Sequence, residues 1–466
     1  MNDTLEVNLA DQFDTLQKRS LILRRSTVRE RKQKLRRLEN WILKNREAIQ
    51  SAVQKDLNKP PQETDLTEIY VVLGELRLAR KMLSAWKAKR HVNTSLPYLG
   101  SSCYVFHEPK GCCLIISPWN YPFQLGIAPL VSAIAAGNSV MLKPSEYTEH
   151  TARLIKRMCE EVFEQNEVQV ALGGVQESTA LLKLPFDHIF FTGSPQVGKI
   201  VMTAAAKNLT SVTLELGGKS PTIVDDTAAI KDAAAKISWG KWQNSGQVCI
   251  APDYLFVHED VKDELVRQLS HQSQKIYGKK ENYGSIVSQK HYDRIHELIT
   301  DAIQDGGKIE FGGTFNKEDL TFHPTLVSGI SEKARLASEE VFGPILILYT
   351  YREINDVINY INQRPKPLAL YLFTRSKKMM DLIQKNTSAG MMAINETVLQ
   401  FGNPHLPIGG VNNSGIGKSH GHAGFLAFTN EKAVLHQRRG LTVVKTVYPP
   451  YSKFKNFMID LLIKYF

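Results

Sequence analysis

The fold class this sequence predicts is α/β, with mainly parallel sheets divided over two or three domains. Three observations predict it. From about residue 100, short apolar runs alternate with helical stretches, the pattern of repeated β-α-β units. A second alternating series spans roughly 250 to 410. A chain of 466 residues is also too long for one ordinary hydrophobic core.

The elements follow in order. The segment "RSTVRERKQKLRRLENWILKNREAIQ" (25–50) predicts a helix with Leu35, Leu38, Ile42 and Leu43 near one face and Arg and Lys over the rest. "GCCLIIS" (111–117) predicts a buried strand. "PLVSAIAAGNSVMLKPSE" (129–146) predicts a small-residue helix, a Gly-Asn stop and a strand. "LIKRMCEEVF" predicts a helix, "DHIFFTG" a strand and "VGKIVMTAAAKN" a helix. "SVTLELGG" and "SPTIVDD" predict strands, and "AAIKDAAAKISWGKWQ" a helix that runs into the loop "NSGQVCIAPDY" (244–254). No internal repeat or low-complexity segment interrupts this order.

Composition narrows the class of function. Hydrophobic residues make up 42% and charged residues 23%, which is ordinary for a globular chain. The net charge of +11 favours anionic partners such as a phosphorylated cofactor or an acidic membrane surface, and selects none. The basic helix lacks the interleaved aromatics that base stacking needs, so no nucleic acid is expected. Five scattered cysteines, Cys103, Cys112, Cys113, Cys159 and Cys249, form no disulfide framework, and a reducing, cytoplasmic setting is expected. No signal pattern opens the chain, no apolar run is long enough to span a bilayer, and no spacing suggests a metal site. His420-Gly421-His422 lacks acidic or cysteine neighbours and is read as structural.

Several motifs carry chemistry only in company. "DHIFFTGSPQVGKIV" places Gly193, Ser194 and Gly198 between a strand and a helix, where unpaired N–H groups can meet an anion. The spacing is GxxxxG, not the GxGxxG fingerprint, and a plain turn accounts for it equally well. Lys143 and Glu146 end an apolar strand, where ligands gather in open α/β sheets. They could bond ribose or phosphate oxygens, or form a solvated strand end. Asn120 in "ISPWNYP" offers an amide to a developing oxyanion, or closes a turn. Glu215 in "LELGG" is a carboxylate in an apolar strand, which needs a partner or has a raised pKa suited to base chemistry. Cys249 sits among small residues that would give a thiolate access. Together, thiol, carboxylate and amide describe acyl chemistry through a thioester.

At this point the chain resembles the aldehyde dehydrogenase superfamily. The match runs in order through "ISPWNYP", "AAGNSVMLKPSE", "FTGSPQVGK", "LELGGKSP", "NSGQVC", "EEVFGPIL" and "GGVNNSGIGKSHG". "CIAPDY" and the short N-terminal lead resemble the class 3 branch, which includes fatty-aldehyde and other dimeric medium- to long-chain enzymes. The resemblance implies a Rossmann-type nucleotide-binding domain (1–100 and 112–216) and an α/β catalytic domain (217–410). It also implies a small β oligomerisation element (101–111 and 432–447), followed by a tail (448–466). It implies Cys249 as nucleophile and Asn120, with the Cys249 N–H, as oxyanion hole. Glu215 would be the base for hydrolysis. Lys143 and Glu146 would hold the adenosine ribose, with Gly193, Ser194 and Gly198 by the pyrophosphate. Glu340 and Phe342 would position the nicotinamide. Either NAD or NADP would be the cofactor, and the product a carboxylic acid. Tyr121 and Trp239 are candidates for an apolar substrate tunnel, with core packing the alternative for Trp239. The loop "GGVNNSG" departs from the branch at Asn412, where glycine is common.

The tail "YPPYSKFKNFMIDLLIKYF" sets Phe454, Phe457, Met458, Leu461, Leu462 and Tyr465 at helical spacing. Lys453, Lys455 and Lys464 outnumber Asp460. Such a helix can lie on an anionic bilayer at the inner face of a membrane, cap the substrate mouth, or dock on its own subunit or a homodimer partner. Alternatives to aldehyde oxidation by water are a CoA-acylating dehydrogenase and a catalytically silent membrane-surface or scaffold protein on the same fold.

Overall fold

The apolar runs read above become the strands of two large sheets in the computed structural model, which describes residues 2–95, 98–440 and 442–465. The first sheet has six strands. From edge to edge they are Gly415–Ile416, Ser211–Leu216, His188–Gly193, Cys112–Ile116, Ser139–Lys143 and Val168–Val170. All neighbours are parallel except the first pair, in which Gly415 lies opposite Glu215. Helices cover both faces, so these strands are apolar throughout and do not alternate. Leu9, Phe13 and Leu16 of the N-terminal helix Asn2–Leu23 cover one face. The helix Gln124–Ala136, buried along its whole length, covers the other.

The second sheet has seven strands, in the order Lys308–Phe311, Thr325–Ser328, Ile345–Tyr351, Pro252–His258, Ser220–Val224, Ala369–Phe373 and Met391–Ile394. It is parallel apart from its first pair. Strand ends of the two sheets lead into the loops that carry Lys143, Gly193, Glu215 and Cys249, as expected where parallel strands deliver ligands at their carboxyl ends.

A third, small sheet joins Arg90–His91, Ser101–Pro109 and Thr429–Gln437. The two longer strands pair antiparallel over nine residues, from Pro109 opposite Thr429 to Ser101 opposite Gln437. Residues 443–447 of the segment expected to pair here instead form a short 3-10 turn.

Two sequence expectations change in detail. The single helix expected over 25–50 is two, Val28–Lys44 and Arg46–Leu57. Thr27 and Glu30 form a capping box that starts the first, and the Asn45 side chain donates to Trp41 O at its end. Leu35, Leu38 and Ile42 are buried as expected, but Leu43 is 51% exposed because it falls on the other side of the helix from that stripe. The C-terminal helix Lys453–Tyr465 forms as the spacing predicts and has no buried residue; Phe454, Phe457, Ile463 and Tyr465 are exposed.

Candidate active site

A cavity of about 1170 Å3 opens where the two large sheets meet. Its wall includes Asn120, Glu146, Gly193, Ser194, Glu215, Cys249, Glu340 and Phe342, residues spread over more than two hundred positions of sequence. Lys143, Gly198, Tyr121 and Trp239 are not on that wall. Lys143 is buried behind it, donating to Pro144 O at 2.9 Å and lying 3.8 Å from the Glu146 carboxyl. Gly198 packs the helix Pro195–Ala206 onto its strand; a Cβ there would sit 2.7 Å from Leu216. Tyr121 and the half-buried Trp239 belong to the hydrophobic cluster behind Cys249.

The loop before Cys249 is wound tightly. Asn244 (φ 49°), Ser245 (φ 54°) and Gly246 (φ 71°) all occupy the left-handed region, which is costly for the two non-glycine residues. Buried hydrogen bonds hold it there. Glu63 accepts from Asn244 N at 2.7 Å, and Asn244 Nδ2 donates to Asn120 O at 2.8 Å. Gln247 Nε2 donates to Asn244 O and Ser285 O, both at 3.0 Å. Gly246 has no alternative: a Cβ would lie 2.2 Å from the Gly343 carbonyl oxygen.

Asn120 is fixed by the same network. Its Nδ2 donates to Gln247 O at 3.0 Å. A carboxamide nitrogen carries two hydrogens, so one remains to face the cavity. Beneath it lies a buried ion pair, Lys59 Nζ to Glu68 Oε1 at 2.7 Å, with both side chains fully covered. Glu68 Oε2 also accepts from Phe123 N and Gln124 N, capping the helix that follows. Lys59 stands 4.1 Å over the Tyr121 ring. Glu68 lies in a one-turn π-helix, Asp65–Ile69, a form that recurs at functional sites.

Glu340 is held from behind. Lys219 pairs with Asp253 and donates to Leu336 O and Glu339 O, while Asp253 Oδ2 accepts from Val341 N at 2.9 Å. Trp119 meets the Phe342 ring edge-on at 5.3 Å. Sequence reading missed Lys59, Glu63, Glu68, Lys219 and Lys241. Asp253 was legible: a carboxylate within an apolar strand, it fits the argument made for Glu215.

Burial sets the electrostatics. It pushes the Cys249 thiol up to about 12, with the Glu340 and Glu215 charges adding to it. It pushes Glu215 up to about 8, against Ser419 and Lys418. It pushes Glu340 up to about 8, aided by Asp253 and opposed by the Gly218 N–H. All three groups therefore rest neutral at pH 7. Glu215 Oε1 is buried without a hydrogen-bond partner.

The rest of the wall suits a dinucleotide. Val175, Val197 and Ile200 stay 42–75% exposed along it, which is apolar area for a flat base. Gly193 lets the chain turn where a Cβ would strike the Phe191 ring at 2.5 Å. The capped start of helix Pro195–Ala206 opens on the cavity, with Ser194 Oγ accepting from Val197 N. Asn412, the loop departure noted above, has φ 55°, a conformation asparagine tolerates better than most residues. His420, read from sequence as structural, lines the cavity with its Nε2 unpartnered.

Known proteins match along the whole site-bearing region. The model of the aldehyde dehydrogenase family matches residues 12–434. A Staphylococcus aureus 4,4'-diaponeurosporen-aldehyde dehydrogenase is 43% identical over 91% of this chain and 93% of its own. Mouse aldehyde dehydrogenase family 3 member B2 is 40% identical over 91% of this chain and 89% of its own. A solved structure described as the substrate-bound state of Staphylococcus aureus AldH superposes with a TM-score of 0.94 at 41% identity, covering 98% of this chain and 99% of that one.

Proposed function

Since the chain belongs to the aldehyde dehydrogenase family, class 3 branch, we propose that it oxidises a medium- to long-chain aliphatic or aromatic aldehyde to the carboxylic acid through a Cys249 thioester, with NAD or NADP as oxidant. The observation that carries this reading is the convergence of Cys249, the Asn120 amide and the unpartnered Glu215 oxygen on one cavity.

In this reading Cys249 attacks the aldehyde carbon and the spare Asn120 hydrogen donates to the oxyanion. The bound dinucleotide would supply the oxidation, accepting hydride, and its cationic ring would favour the thiolate. Glu146 and Lys143 would hold its ribose, Gly193 and Ser194 its phosphates, and Glu340 and Phe342 its nicotinamide end. Glu215, once ionised, takes a proton from the water that attacks the thioester, and the acid leaves. Gly198 acts by closing helix onto strand. Tyr121 and Trp239 shape the substrate side from behind the wall.

The domain division given by the resemblance, with 217–410 as the catalytic part, belongs to the same proposal. So does a homodimer built on the small sheet. So does contact of the basic tail helix with an anionic membrane surface, supported by its uncovered aromatic face and by Lys453, Lys455 and Lys464.

One panel tests the reading: NADH and NADPH formation against aliphatic aldehydes of increasing length and aromatic aldehydes. The wild type should turn over a subset, and Cys249→Ala should turn over none while still binding dinucleotide. Wild-type rates in Cys249→Ala would sink it.

A further inference from the structure

Behind Glu215 the cavity contains buried polar groups that the steps above leave unused. Ser419 lies beside the Glu215 carboxyl, close enough to favour its ionised form. Ser419 Oγ is 3.0 Å from His420 Nδ1. On the far side of that ring, His420 Nε2 is buried and unpartnered. Glu75 reaches the same place from the helix Tyr70–Trp86. Its Oε2 accepts from Gly421 N at 2.8 Å, and its Oε1 is buried without a partner. Glu75, Ser419, His420 and Glu215 all line the one cavity. Glu75 and His420 are 2% and 7% exposed. The backbone at His420 is strained, with φ 68° and ψ 139°, a region essentially reserved for glycine that costs on the order of 1–3 kcal/mol. An imidazole kept at such a position suggests a use for the ring.

We infer that Glu215, Ser419, His420 and Glu75 form a proton wire that clears the proton taken from the hydrolytic water. This rests on the reading of Glu215 as the base. As water oxygen bonds to the thioester carbon, its proton passes to Glu215. The Glu215 proton passes to Ser419 Oγ, whose own proton moves to His420 Nδ1. The Nε2 proton then reaches Glu75 Oε1, directly or through a cavity water. Charge balances at each transfer, and no oxidant is needed. The groups facing the wire are Lys418 beside Glu215, and Gln124 and Ser132 of helix Gln124–Ala136 on the cavity wall by Glu75. Burial draws the His420 imidazolium down to about 4, so the ring passes a proton without storing it. Burial raises Glu75 to about 7, near the value of Glu215, so the terminal groups are closely matched.

Ser419, His420 and Glu75 are thus positioning and relay residues, and the test must exclude simple packing. Glu75→Gln keeps an oxygen for the Gly421 amide, and His420→Gly relieves the backbone strain. Both variants should keep the wild-type burst of NADH or NADPH. Their steady-state turnover should fall roughly tenfold to a hundredfold, with acyl-enzyme accumulating. Added imidazole should restore turnover in His420→Gly and not in Glu75→Gln. Wild-type turnover in both variants, alongside a slow Glu215→Gln, overturns the wire alone. Burst and turnover falling together, or failure of imidazole rescue, also overturns it in favour of packing. Wild-type turnover in Glu215→Gln overturns both the wire and the base assignment.

Discussion

Glu215→Gln replaces the buried carboxyl with an amide of the same shape that cannot ionise. The carboxyl is fully buried and its pKa is raised to about 8. Only the ionised form can take a proton from water, so the useful fraction rises as pH passes upward through that value. At pH 7 about a tenth of the groups are ionised, and at pH 9 about nine-tenths, so base-assisted hydrolysis should climb roughly tenfold over that span. Cys249, raised to about 12, gives the acylation half its own pH dependence, so the two halves must be read separately. Stopped-flow formation of reduced cofactor does this: the burst reports acylation, and the later linear phase reports hydrolysis wherever hydrolysis limits. For Glu215→Gln we expect a burst of wild-type amplitude and a linear phase lowered about a hundredfold or more. That linear phase should no longer rise between pH 7 and 9, and the acyl adduct should be visible on Cys249 by mass spectrometry. A linear phase that keeps its tenfold rise, or an absent adduct at an unchanged rate, would refute the reasoning.

Gly246→Ala should cost at least on the order of 1–3 kcal/mol, because the new Cβ meets the Gly343 carbonyl at 2.2 Å and φ is 71°. A lower melting temperature and loss of turnover with dinucleotide binding intact would check it; unchanged turnover would contradict it. Lys59→Met leaves Glu68 buried and unpaired, a loss of about 3–5 kcal/mol, and a second change, Glu68→Leu, should recover part of it. Calorimetry on the single and double variants decides, and equal melting points for Lys59→Met and wild type would count against it. Removing residues 452–466 should abolish co-sedimentation with anionic vesicles and leave turnover of short aldehydes intact. Vesicle binding that persists rules out the tail as the contact.

Much of the architecture was legible because its signals are local. Buried parallel strands need continuous apolar runs, so "GCCLIIS", "VMLK" and "DHIFFTG" identified themselves, and the loop cysteine stood out among small residues. The split at Asn45 and the exposure of Leu43 were not legible, because one amide cap and a small rotation about the helix axis decide them. Sequence alone determined which residue types were available: one thiol among small neighbours, one carboxylate in an apolar strand, one amide between aromatics.

Only the tertiary structure decided how those groups meet. Lys59 reads as a surface lysine beside two prolines until Glu68, nine residues away, is folded beneath Asn120. His420 reads as a structural histidine until Glu75, from a helix more than three hundred residues earlier, takes the next amide. Burial and pairing are properties of neighbours brought together across the chain, so a pKa raised by desolvation, or an oxygen left without a partner, exists only once both sheets have closed around the cavity.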